Sequence, residues 1–496
     1  MSNHVNRRTL FKGAAAGALA VGFSQAAGGW LTAAAAAGRT DVAWAPPFDG
    51  HLETAPEVLE SFSHDFGRLT TPGTPRAVLR PGSVDDIVKA VRFTRQNRLT
   101  IAMNGQSGTG TDLESHSNYG QAAVPDGISI DARELNQIHQ IDADSAVVDA
   151  GVTWAELAQA TLAHGKTPPA LPDYLHLTVG GTISVGGIGG TVHQHGLLCD
   201  TVDEIEIVTG TGRLLTASLS RNPALFLAAL GGGGQVGLIV RARVKLVPAK
   251  PNIIVFNLFY NDLAAYCADA EKLAHEGRFD HQSGEIVRTL DDTSWRYKVE
   301  AGVYFDGDPP DQEHLLRGLN DEQAEREVAQ MPYAQWIFRI DPYEDFLKDN
   351  GFWEQPKPWF SMVLPATRTQ QYISAVVDEL VPEDLGAGFA GFYPFPVSKL
   401  TRPMFAKPIQ RTAYLFDLLR FPVPGDPGID RMMDQNRRLY DLGVSLGGKR
   451  YLVGAIPDMT TSDWRRHFGL LWPGFRAAKF VYDPANILTP GQGFFS

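Results

Sequence analysis

The sequence predicts an α+β protein of two domains, the second inserted into the first. Three observations carry this. Residues 76–102 alternate a short apolar run, a Pro-Gly break, an amphipathic stretch and a second apolar run, the pattern of a β-α-β unit. Residues 204–218 and 237–248 alternate and are rich in β-branched side chains, as strands are. After Pro248-Ala249-Lys250-Pro251 the texture changes to strands, helices and Pro-rich aromatic connections such as PKPWFSMVLP and FYPFPVSKLTRP. The expected division is 1–40, 41–248, 249–445 and a C-terminal return, 446–496.

Taken in order, Arg7-Arg8-Thr9-Leu10-Phe11-Lys12 precedes a Gly/Ala-rich apolar stretch to about Ala27 and small residues Ala33 to Ala37: an n-region, an h-region and a cleavage zone. The paired arginines resemble the twin-arginine export signal of bacteria, which carries proteins already folded, often with cofactor aboard. The stretch is shorter than the ~20 strongly apolar residues of a span. The expectation is therefore a cleaved leader and a periplasmic or extracellular mature protein free of the membrane. Next, Ser83 caps a helix whose first turn holds Asp85 and Asp86 and whose apolar face is Ile87, Val88, Val91 and Phe93. A further helix follows Val152 or Thr153. Near the end, Trp464, Phe468, Leu471 and Phe475 recur at helical spacing and predict one helix with a core face.

Composition narrows the function. Lys and Arg total 44 against 56 Asp and Glu, a formal charge of −12, and no basic run follows the first dozen residues. That is not the footprint of a nucleic-acid binder. Cys199 and Cys267 make no disulfide framework and no zinc spacing. His193 and His195 would share a face of a strand, yet no carboxylate or thiol cluster accompanies them, so no metal is expected.

Three glycine-rich stretches remain: NGQSGTGTD (104–112), VGGTISVGGIGG (179–190) and LGGGGQVG (230–237). Each reads either as tight turns or as backbone free to approach a pyrophosphate. None has the dinucleotide-binding GxGxxG context or the Gly-Lys-Ser/Thr of a P-loop, which argues against nicotinamide enzymes and ATPases. Asp173 is the only acid within its glycine-rich surroundings, and reads as a turn cap or as a base.

HSNYGQA (116–122) resembles the flavin-attachment segment of cytokinin dehydrogenases, flavoproteins of the vanillyl-alcohol-oxidase superfamily with a PCMH-type FAD-binding domain and a cap. LPDYLHLTVGGTISVGGIGG, EIEIVTGTGRLLTAS, LGGGGQVGLIVRAR, the cap-like PYEDFLKDNGFWEQPKPWFSMVLP and TTSDWRRHFGLLWPGFRAAKFVYDPANILTPGQGFF extend the likeness over residues 60–496. The resemblance implies FAD linked through His116, with Asn104, Gly105 and Gln106 in the pyrophosphate loop. It implies further contacts from Ser117, Gln121, Asp173, Thr178, Gly181, Ser184, Ile188, Leu238 or Ile239, Tyr451, Thr489 and Gln492. Asp173 matches the family's catalytic aspartate. In the family the histidine directly follows Gly-Arg-Gly, whereas here Gln106 to Ser115 intervene. Either that segment is an insertion, as the five-residue step from His116 to Gln121 suggests, or Gly108 takes the histidine's place and the flavin is held without a bond. Glu344 and Asp345 lie near the segment where the family carries its second active-site acid, but the shortened linker KDNGF assigns it to neither. Relatives with a second flavin bond place cysteine where this chain has Leu175 and His176, so Cys199 reads as a buried thiol.

The expected function is FAD-dependent oxidation of a secondary allylic amine of cytokinin type, with oxygen or a quinone as electron acceptor. The rivals are an alcohol or carbohydrate oxidase of the same superfamily and a secreted binding protein without catalysis.

Overall fold

A computed structural model describes residues 22–496 apart from 25, 27–28, 70–72, 111–112 and 290. Arg7-Arg8 and most of the expected leader lie outside the described residues. From Gly22 onward, Gly22–Ser24 pairs with Gly29–Leu31 and with Val42–Trp44, and Phe23 is buried against Trp30.

The β-α-β pattern folds as a four-stranded sheet in the order His51–Glu53, Ala77–Arg80, Ile128–Asp131, Ile101–Asn104. Its last three strands run parallel, with the helix Val84–Asn97 crossing between Ala77–Arg80 and Ile101–Asn104. Ser83 caps that helix by accepting from the Asp86 amide. Asp86 has a second part that its place in the first turn does not announce: its buried carboxylate accepts the amides of Asp49, Gly50 and Gly82.

A five-stranded antiparallel sheet follows, ordered Ile138–Ile141, Ser145–Asp149, Leu238–Lys245, Val202–Val208, Leu214–Ser218. The helix Trp154–Leu162 packs beside it, started by a reciprocal capping box between Thr153 and Glu156.

The second half of the chain builds an eight-stranded antiparallel sheet that begins with Glu327–Pro332 and Asn252–Tyr260 and ends with Phe360–Pro365 and Lys449–Arg450. Strand alternation sorts its side chains. Ile254, Phe256 and Leu258 join a core with Tyr266 and Leu273 from the helix Leu263–Glu276 and with Tyr372 and Ile373 from Ala366–Glu379. Ile253 and Val255 face the other way, into the core that also holds Trp154, Val179 and Ile205 of the first half. One continuous apolar layer thus joins the two halves.

The single helix expected across Trp464–Phe475 is two: Thr461–Phe468 and Trp472–Tyr482. Gly469 stops the first with φ +53, a left-handed conformation that glycine adopts at little cost, and Leu471 is left partly exposed. After the second helix the chain returns to the first sheet. Ile101 donates to the Ile487 carbonyl and accepts from the Thr489 amide, both at 2.9 Å. No helix among the described residues is long and apolar enough to cross a membrane.

Candidate active site

Where the two smaller sheets meet the returning tail, one cavity gathers most of the residues singled out from sequence. Asn104, Gly105, His116, Ser117, Gln121, Thr178, Gly181, Ser184, Leu238, Ile239, Tyr451 and Thr489 line it. Four others lie elsewhere. Gln106 is buried in a short hairpin of Gln106–Ser107 with Glu114–Ser115. Ile188 packs against the main core, and Gln492 lines a neighbouring cavity behind Gly120. Asp173 faces a third cavity, on the cap side.

The floor is built for close approach. A Cβ on Gly105 would lie 2.3 Å from the Thr178 hydroxyl. Gly233 and Gly234, also on the wall, have φ +62 and +72, which a side chain would strain. Asn104 is locked by Ser129, Ala122 and Ser115. Both amide atoms of Asn118 and the Gln121 Nε2 are buried on this wall with no partner. Buried polar atoms are normally satisfied, so these are groups held for a polar ligand.

His116 follows the hairpin and reaches the wall, whereas Gly108, in the hairpin's tip, does not. Its Nε2 lies 3.1 Å from the Ser107 carbonyl, an acceptor, so that nitrogen carries the hydrogen and Nδ1 keeps its lone pair. Burial pushes the imidazole down to about 4 and keeps it neutral. The ring stacks on Phe66, with centroids 5.1 Å apart, and tilts against Tyr174 at 5.2 Å. Trp353, Trp359 and Phe421 pack edge-on around Phe66, forming an aromatic box beside the histidine.

Two carboxylates flank this box. Glu114 accepts from the Trp353 indole at 2.8 Å and from Arg68 at 3.0 Å, which ties the hairpin to the cap. Glu344 is buried; its Oε1 accepts from Thr109 at 2.6 Å and Lys348 at 2.7 Å, and the Tyr174 hydroxyl stands beside it as a third donor. Burial pushes its carboxyl up, but the Lys348, Thr109 and Tyr174 donors outweigh that and hold it low. Sequence gives only the i, i+4 pair Glu344–Lys348, which by itself reads as an exposed helix face.

Asp173 is reached along the same segment that carries Tyr174 to His116, anchored where the Trp154 and Ala155 amides donate to the Leu177 and Leu175 carbonyls. Its half-exposed carboxylate pairs with Arg339, whose guanidinium lies over Trp336 at 4.0 Å. His195, His281 and Tyr304 share that cavity, of about 260 Å³.

His193 and His195 lie in one helical turn, Val192–His195, rather than in the strand that would have placed them on one face. His193 is buried on the Phe279 carbonyl at 2.9 Å, and among the described residues no group of three or more metal-ligating side chains gathers. Burial pushes His193 down to about 4 from 6.5. The unfolded chain therefore binds the extra proton between those values, and stability present above pH 6.5 is lost as pH falls through about 4. Wild type is expected to lose more stability across that window than His193→Asn, measured by urea titration at each pH. Cys199 and Cys267 are free and buried, and burial pushes both thiols up.

Comparison with known proteins agrees with this geometry. The family description "FAD binding domain" matches residues 75–218, and "Cytokinin dehydrogenase 1, FAD and cytokinin binding" matches residues 279–495. The chain is 36% identical over 435 residues to the uncharacterized oxidoreductase ORF5 in the fasciation locus of Rhodococcoides fascians, covering 87% of this chain and 96% of that protein. It is 31% identical over 482 residues to cytokinin dehydrogenase 2 of Arabidopsis thaliana, covering 90% and 93%. Cytokinin dehydrogenase 9 of Oryza sativa subsp. japonica is 32% identical over 488 residues, covering 90% of each. The unpartnered amides of Asn118 and Gln121 and the side-chain-free floor at Gly105 fit a polar, phosphate-bearing heterocycle such as FAD. The chain belongs to the cytokinin dehydrogenase family of FAD-dependent oxidoreductases.

Proposed function

We propose that the protein oxidises the C–N bond of a secondary allylic amine of cytokinin type to an imine, which water hydrolyses to an adenine and an aldehyde, with oxygen or a quinone as the final electron acceptor. The observation that carries this reading is the cavity lined by Gly105, His116 and Thr489, whose buried Asn118 and Gln121 amides lack partners and whose His116 stacks on the packed aromatic cluster of Phe66, Trp353 and Trp359. When bound, FAD supplies the hydride acceptor. Asp173 removes or holds the amine N–H proton as positive charge develops on nitrogen. Arg339 fixes that carboxylate's orientation, and Glu344 accepts from the ring N–H. His116 would hold the cofactor, its lone-pair-bearing Nδ1 free to bond the flavin. The Arg7-Arg8 leader supports export of the folded, flavin-loaded chain by the twin-arginine route to the periplasm or beyond.

The test is a visible spectrum before and after acid precipitation, with isopentenyladenine added anaerobically to native protein. A yellow pellet and bleaching by the cytokinin are expected. Flavin released to the supernatant overturns the His116 bond. Bleaching by alcohols or sugars but not by amines overturns the substrate. Separately, Gly105→Val is expected to lower the flavin-to-protein absorbance ratio severalfold, because its side chain meets Thr178 on the cavity floor.

A further inference from the structure

Beneath the aromatic box lies a buried lysine that forms no salt bridge among the described residues, and burial pushes its amine down to about 7. Lys357 is wholly buried. Its Nζ donates to the carbonyls of Phe66 at 2.9 Å, Gln355 at 3.1 Å and Trp353 at 2.5 Å, and its amide donates to the Gly67 carbonyl at 2.7 Å. An ammonium has three N–H donors, and here each has a carbonyl. The same Nζ sits 4.2 Å from the centroid of the Phe66 ring, within cation–π range. Phe66 is the ring on which His116 stacks, at 24° to parallel. Lysine, backbone loop, phenyl ring and imidazole therefore form one rigid column that ends at the cavity wall.

We propose that Lys357 is a positioning residue for flavin attachment: through Phe66 it fixes the plane in which His116 presents Nδ1 to the 8α carbon. This rests on the reading that His116 carries the flavin. Attachment forms one N–C bond. One hydrogen leaves the 8α methyl and one leaves the imidazole, and the two electrons released pass to dioxygen, which becomes hydrogen peroxide. Bond formation of this kind is steeply sensitive to placement, a 1 Å error costing about 10²-fold. The lysine sits closer to the Phe66 ring, on which the histidine stacks, than to the Trp353 ring at 5.9 Å, which meets the histidine edge-on. Its charge also discourages a second cation at His116, adding to the burial that keeps the imidazole neutral.

The experiment compares wild type, Lys357→Met, Phe66→Leu and Phe66→Tyr, each loaded with FAD. It reads bound flavin per chain in the native protein and the fraction carried into the acid pellet over time. Wild type and Phe66→Tyr, which keeps the ring, are expected to give yellow pellets. Lys357→Met and Phe66→Leu are expected to bind flavin but attach it about 10²-fold more slowly, leaving it in the supernatant. Equal attachment rates in wild type and both disrupted variants overturn the proposal. A purely structural role lowers thermal stability and flavin content together without changing the attached fraction. If Lys357→Met does not fold, the contrast between Phe66→Leu and Phe66→Tyr decides. Flavin released by wild type itself overturns the attachment reading, and the positioning role with it.

Discussion

Asp173→Asn is expected to slow anaerobic flavin bleaching by isopentenyladenine by about 10²–10⁴-fold, the range over which a positioned base contributes. Asparagine keeps the size and one acceptor oxygen of the aspartate but cannot take the amine proton. The residue is not on the wall that holds Gly105, His116 and Thr489, so flavin content should be unchanged, and the loss belongs to the chemical step. Arg339 would still find the amide oxygen, which keeps the Pro172–Tyr174 segment in place. Stopped-flow absorbance with saturating substrate reads the effect directly. Bleaching at the wild-type rate would remove Asp173 from the mechanism and leave its pairing with Arg339 as a fastening between domains.

The second large effect is on stability. Asp483→Ala is expected to cost about 3–5 kcal/mol, the usual consequence of leaving a buried charge without its partner. Lys479 and Asp483 are almost wholly buried and 2.7 Å apart. The carboxylate also accepts the amides of Ile487 and Leu488, at 3.2 and 2.9 Å. Lys479 reaches the Gln235 carbonyl in the glycine-rich turn at 3.0 Å. One substitution thus strands an ammonium and releases two amides at the point where the tail joins the first sheet. Urea denaturation with far-UV detection measures it. A loss below ~1 kcal/mol would mean that the pair is no more than an exposed one in effect.

What sequence discloses about this chain follows the range of the interactions. The Ser83 cap, the strands within residues 204–218 and the division into strand and helix textures rest on residues a few positions apart, where propensity and periodicity act. So do the glycine-rich stretches, whose need for space is local. The box is different. Glu344 meets Thr109 and Lys357 meets Phe66 across separations of 235 and 291 residues, and no spacing rule reaches that far. Asp173 was singled out from its neighbourhood, but its partner Arg339 lies 166 residues on. The helix predicted across Trp464–Phe475 fails for a local reason that periodicity overrode: Gly469 sits where the apolar stripe continues but the backbone turns.

The tail gives the order of assembly in time. Thr489 completes the cavity wall and accepts from the Gln235 amide, 254 residues earlier, at 2.8 Å. A ribosome delivers Gly105, His116 and Gln235 long before Thr489, so a growing chain offers FAD a site with one side missing. Closure of the cavity then waits for the tail to dock on the first sheet.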